Sequence, residues 1–251
     1  MGKKLSWNSI NPRLRLWFKA LGFSSVLLLF PRFKESLFAA AVLFPIASLL
    51  FYFSLGEAKE KLKVSFFISV LLYALFSYQP VAFGFFSFAP LALVFISFYL
   101  TAGIGFEWKD PQGQRIAYLF LNNLLFFTAF LFVSRSAVVS WVLLLFIGLL
   151  NYFLVRESFR WGASDTRGFP RRERFLALAV SFLSLQSFAV LLFLPIGFIN
   201  IAIASAIFTS LLRDAVIDYL RGDWTRREIL KKAILYLALF AAVMAVSRWR
   251  V

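Results

Sequence analysis

Apolar runs of about 17 to 22 residues recur along the chain, separated by short polar connections. Crossing the hydrocarbon core of a bilayer, roughly 30 Å, takes about 20 helical residues at 1.5 Å each. Runs near 36–55, 64–80, 84–105, 116–133, 136–155, 174–194, 196–213 and 232–248 therefore predict transmembrane helices, and 14–31 is a shorter candidate. The pattern predicts an all-α membrane protein: a bundle of about nine transmembrane helices built from antiparallel helical hairpins. The number falls to eight if the N-terminal segment lies in the plane of the interface. No polar stretch is long enough for a soluble domain, so residues 1–251 read as a single polytopic transmembrane domain.

The positive residues orient this bundle. Arg15 and Lys19 lie in the first turns of 14–31 and can snorkel toward headgroups with their stems buried. If that segment spans with the N-terminus inside, 22 of the 27 Lys and Arg fall on the cytoplasmic side. Only Arg32, Lys34, Arg135, Arg248 and Arg250 stay outside. An in-plane segment worsens the split to 17 against 10, so the positive-inside bias favours nine spans and a cytoplasmic N-terminus. Trp17, Trp108, Trp161 and Trp224 fall at predicted cytoplasmic ends and Trp141 and Trp249 at outer ends, as interfacial rings do. A cleavable signal fits poorly, because no small-x-small site follows the apolar stretch.

Composition narrows the chemistry. Mean hydropathy is +0.82, with 61% hydrophobic and 16% charged residues, outside the range of a soluble domain. Cysteine and histidine are both absent, which removes disulfides, thiolate or imidazole metal sites, catalytic triads and haem ligation. No cofactor and no metal are expected. The net charge of +15 flanks the spans and forms no separate basic domain, so it reads as topology and nucleic acid is not an expected partner.

Three sets of residues could carry chemistry. Asp214 and Asp218, with Asp223 beyond, stand at i, i+4 on one helical face, where two carboxylates could share a magnesium ion bound to a lipid diphosphate. Membrane prenyltransferases use carboxylates in this way. They need a second acidic motif, and Glu57/Glu60 and Glu107/Asp110 do not reproduce its Asn- and Asp-rich pattern. The alternative is a solvated helix end with Asp balancing Arg. Asn122, Asn123 and Gln186 lie near the centres of their spans, as interhelical glue or as the polar lining of a substrate path. No ionisable residue occupies a predicted span centre, which argues against a proton-driven carrier. Arg171, Arg172, Arg226 and Arg227 form two Arg-Arg-Glu loops on the basic side, candidates for contact with anionic lipid or a partner.

Local signals accompany these. Thr225 with Glu228 predicts a capping box, Gly222 permits the turn before it, and Pro170 suits a helix start. Pro45 and Pro90 fall inside spans and predict kinks. Ala202, Ala206 and Ser210 form a small-xxx-small face. Leu154-Val155-Arg156-Glu157 resembles Leu211-Leu212-Arg213-Asp214, either as a weak hairpin repeat or as convergence of helix ends.

The leading expectation is a non-catalytic interaction or assembly component of the cytoplasmic (inner) membrane. Its basic cytoplasmic face would meet the lipid bilayer's anionic headgroups or another membrane protein. The alternatives are a permease for a neutral or lipophilic solute and a magnesium-dependent enzyme acting on a prenyl or lipid diphosphate.

Overall fold

The computed structural model describes residues 12–29, 37–55, 60–78, 88–108, 110–135, 141–162, 170–222 and 225–247. Glu57, Arg167-Gly168, Asp223, Trp224, Trp249 and the predicted turns near 31–35 and 79–83 lie outside the described residues, as does the side chain of Glu107. Helices run over α1 (Pro12–Leu29), α2 (Leu37–Phe53), α3 (Lys63–Tyr78), α4 (Phe88–Ala102), α5 (Pro111–Ser134), α6 (Trp141–Gly162), α7 (Pro170–Leu192), α8 (Phe198–Arg221) and α9 (Arg226–Val246). A π-helical turn, Gly103–Glu107, follows α4. The described residues are all-α, with no strand. By length and composition, five helices, α5 to α9, can each cross a membrane. The described residues are thus all-helical, with helices of the length and composition that a membrane-embedded protein needs.

Helix ends depart from the ends of the apolar runs. α6 continues to Gly162 rather than 155, α8 to Arg221 rather than 213, and α9 begins at Arg226 rather than 232. Arg, Glu and Lys are good helix formers, so a helix outlasts its apolar stretch until a cap stops it. Gly222, at φ 80°, stops α8 in the left-handed conformation that favours glycine. The Thr225 hydroxyl accepts from the Glu228 amide at 3.4 Å and starts α9. The reciprocal half of the expected capping box is not made, since the Glu228 carboxylate accepts from Lys231 at 2.8 Å instead. Asp110 caps α5 by accepting from the Gly113 amide at 2.8 Å. Pro45 does lie inside α2. Pro90 is only the third residue of α4, where an amide has no intrahelical acceptor in any case, so it breaks no helical bond.

The chain forms two compact units, residues 1–121 and 122–251, with the division inside α5. In the first unit α1 packs on α4 around an aromatic cluster. Phe23 stacks on Phe51 and meets Phe98 edge-on, each at 4.4 Å between ring centroids. Phe66 and Tyr73 complete the core. The Tyr73 hydroxyl lies 2.6 Å from Ser97 Oγ and 3.0 Å from the Leu93 carbonyl. Gly103 is needed for close approach, because a Cβ there would come within 2.8 Å of the Trp108 indole.

In the second unit α6 packs on α7, α7 on α8, and α8 on α9. Ala202, Ala206 and Ser210 are all buried, as their spacing predicts for a packing face. Gly162 lets α6 approach α8, since a Cβ would come within 2.8 Å of Ile217. By contrast α9 has no buried residue.

Candidate functional site

α8 carries the polar chemistry of the second unit. Arg213 is 1% exposed and sits eight residues before the end of its helix, about 12 Å inward. A guanidinium this deep in an apolar bundle persists only where its donors find acceptors. Here Nη1 donates to Asn122 Oδ1 and to Asn123 Oδ1, both at 2.7 Å. Nε and Nη2 donate to Asp214 Oδ1 at 2.9 and 2.7 Å. The face of Phe126 lies 5.9 Å from the guanidinium carbon. Ser210 Oγ donates to Asn123 Oδ1 at 2.9 Å, and Asn122 Nδ2 to the Leu154 carbonyl of α6 at 3.3 Å. One cation therefore ties α8 to α5, and Asn122 extends the tie to α6.

The acidic pair faces α9. Asp214 Oδ2 accepts from the Tyr236 hydroxyl at 2.6 Å, and Asp218 Oδ2 from Lys232 Nζ at 2.5 Å. Both pairs are spaced by four residues, so the antiparallel helices meet in register one turn apart. Two further contacts tie the end of α8 to its neighbours. Arg221 Nε donates to the Gly162 carbonyl at 2.5 Å. Arg172 of α7 donates to the Tyr219 hydroxyl and covers its ring, 4.7 Å from the centroid.

These positions redistribute the residues singled out from sequence. Asn122 and Asn123 do come together, with Arg213 as the common partner. Gln186 does not join them: it is exposed on α7, on a face shared with Phe182, Leu183 and Val190. Asp214 and Asp218 share a face as their spacing predicts, but that face is occupied by Tyr236 and Lys232. Among the described residues no group of three or more His, Cys, Asp or Glu is placed to hold a metal ion. Arg171, Arg226 and Arg227 are exposed, whereas Arg172 is engaged by Tyr219.

Sequence reasoning missed three buried polar residues, of which Arg213 belongs to this network. Arg213 stands where the apolar run stops, which by itself points to a helix end; α8 continues for eight more residues and encloses it. Glu157, just beyond the apolar run 136–155, is likewise enclosed by the continuing α6 and only 4% exposed. Its aligned counterpart Asp214 has a side chain 21% exposed, and Arg156 is half-buried where Arg213 is enclosed, so the two similar segments do not share environments. Asn151 lies at the middle of α6, fully buried, with neither amide atom hydrogen-bonded to a described residue. Its signal, an amide central to an apolar run, was the one that picked out Asn122.

Comparison with family models, curated proteins and solved structures finds no match to this chain.

Proposed function

We propose that the chain is a nine-span protein of the cytoplasmic membrane, with its N-terminus inside. On this reading it acts as a non-catalytic interaction or assembly component through its basic cytoplasmic face. The observation that carries this is a contrast between interior and exterior arginines. Arg213 is consumed by four hydrogen bonds within the bundle. Arg156, Arg160, Arg171, Arg174, Arg226 and Arg227, near helix ends on the side assigned to the cytoplasm, make no hydrogen bond or ion pair to any described residue. Juxtamembrane cations contribute about 1 kcal/mol each toward an anionic leaflet. Nine helices among the described residues support the span count, with α1 to α4, of 15 to 18 residues, at the short end for a bilayer.

The test replaces Arg171, Arg172, Arg226 and Arg227 by Gln. The variant is expected to lose association with anionic vesicles, or with co-purifying membrane proteins, while single introduced cysteines report topology on a chain that has none. Unchanged association and unchanged topology would overturn the reading.

A second reading, passage of a neutral solute, draws support from Asn151, whose buried amide has no hydrogen-bond partner among the described residues. Asn151→Leu would then abolish uptake by reconstituted vesicles while leaving anionic-lipid association intact. The magnesium-dependent reading has less support, since both carboxylates of the pair are engaged by α9.

A further inference from the structure

α6 and α7 form a hairpin whose outer face carries a groove of about 450 Å³. That lies within the roughly 300–1,000 Å³ of small-molecule sites. Its walls are Leu145, Leu149 and Tyr152 on α6 and Leu178, Phe182 and Leu185 on α7. Leu145, Leu149, Leu178 and Phe182 are each more than half exposed, so the walls are not closed by the protein itself. Gly148 shapes the floor, where a Cβ would come 3.3 Å from Leu185. Ser181 adds no polarity, because its hydroxyl is spent on the Ala177 carbonyl at 2.8 Å.

The groove has a chemically different end. On α6, Arg156 and Arg160 continue the stripe through Leu145, Leu149 and Tyr152 at successive turns. On α7, the stripe through Leu185, Phe182 and Leu178 runs back to Arg174 and Arg171. The helices are antiparallel and joined through residues 163–169, so all four arginines lie at one end. They stand about one to two turns, roughly 6–12 Å, beyond the nearest apolar wall residue. Packed helices lie about 8–10 Å apart, within the reach of arginine from either side toward one phosphate. None of the four has a hydrogen-bonding or ionic partner among the described residues.

We infer that this hairpin is a binding site for one anionic phospholipid, with an acyl chain in the groove and its phosphate held by Arg156, Arg160, Arg171 and Arg174. Charge complementarity selects this occupant over a neutral lipid, and the apolar walls select it over a soluble phosphate. The inference rests on the orientation proposed above, which puts these arginines at the cytoplasmic headgroups. It goes further by naming a discrete site where that proposal needs only diffuse attraction.

The experiment is native mass spectrometry of the full-length protein released from nanodiscs containing phosphatidylglycerol or phosphatidylcholine. One retained phosphatidylglycerol per chain is expected, with phosphatidylcholine held far more weakly. L149W/L178W fills the groove from exposed positions and keeps every arginine; it is expected to cut retained phosphatidylglycerol by about tenfold. R156Q/R160Q keeps the walls and is expected to do the same, so the inference stays testable if either variant folds poorly. Equal retention by parent and by both variants, or equal retention of the two lipids, would overturn it. If groove filling changes nothing while neutralising Arg171, Arg172, Arg226 and Arg227 still abolishes vesicle association, the discrete site falls and the basic-face reading stands.

Discussion

The two units solve one problem with different materials. Lipid tails are as apolar as leucine, so helices within a bilayer gain little from hydrophobic burial against each other and need packing or hydrogen bonds to associate. The first unit uses rings: Phe23, Phe51, Phe66 and Phe98 lie 4.4 to 6.3 Å apart by centroid, and such pairs contribute about 0.5–1.5 kcal/mol each beyond burial. The second uses polar matching, with Arg213, Asn122, Asn123, Ser210, Asp214 and Tyr236 in one connected set. Loss of a ring leaves a void whose walls can partly collapse. Loss of the central cation removes four charge-assisted hydrogen bonds at once and leaves the partly buried Asp214 carboxylate without its counter-ion, which local collapse does not repair. The polar unit should therefore be the more brittle one.

The largest effect is expected from Arg213→Ala, which takes the guanidinium donors away from Asn122 Oδ1, Asn123 Oδ1 and Asp214 Oδ1. Breaking one side of a buried charged network costs about 3–5 kcal/mol. Hydrogen exchange of the full chain in micelles should show the loss at α8 amides; unchanged protection there would break the comparison. Phe98→Ala, at the centre of the ring cluster, comes next at about 3 kcal/mol, read at α1 and α4 amides. A larger loss than for Arg213→Ala would reverse the ranking of the units. Tyr73→Phe removes only one hydroxyl shared with Ser97 and is expected to cost about 0.6 kcal/mol, near the membrane average for a side-chain hydrogen bond. A cost of several kcal/mol at that site would mean that the ring unit also depends on a polar centre.

The class of the fold was legible because apolar run length is set by the bilayer, and that constraint acts on composition alone. Helix ends were not, because hydropathy stops where the charges begin, whereas α8 stops only at Gly222. This difference of eight residues hid Arg213. Asn122 and Asn123 were legible as a pair, being adjacent and central. Their partner was not, since it depends on which helix lies opposite. Gln186 carried the same signal as Asn122, yet the angular position of its Cα on α7 turns it outward. Spacing placed Asp214 and Asp218 on one face, but spacing cannot say what the face meets; Lys232 and Tyr236 stand at the complementary spacing on α9, and only the antiparallel hairpin aligns them.

That alignment bears on how α9 is held against α8. α9 has a mean hydropathy of 2.1 over its best window and buries none of its residues, so packing alone does little to set its position along α8. A slide of one turn that set Lys232 opposite Asp214 would leave Asp218 and Tyr236 unmatched. The two pairs thus act as a vernier: only one axial setting of α9 against α8 closes both contacts together.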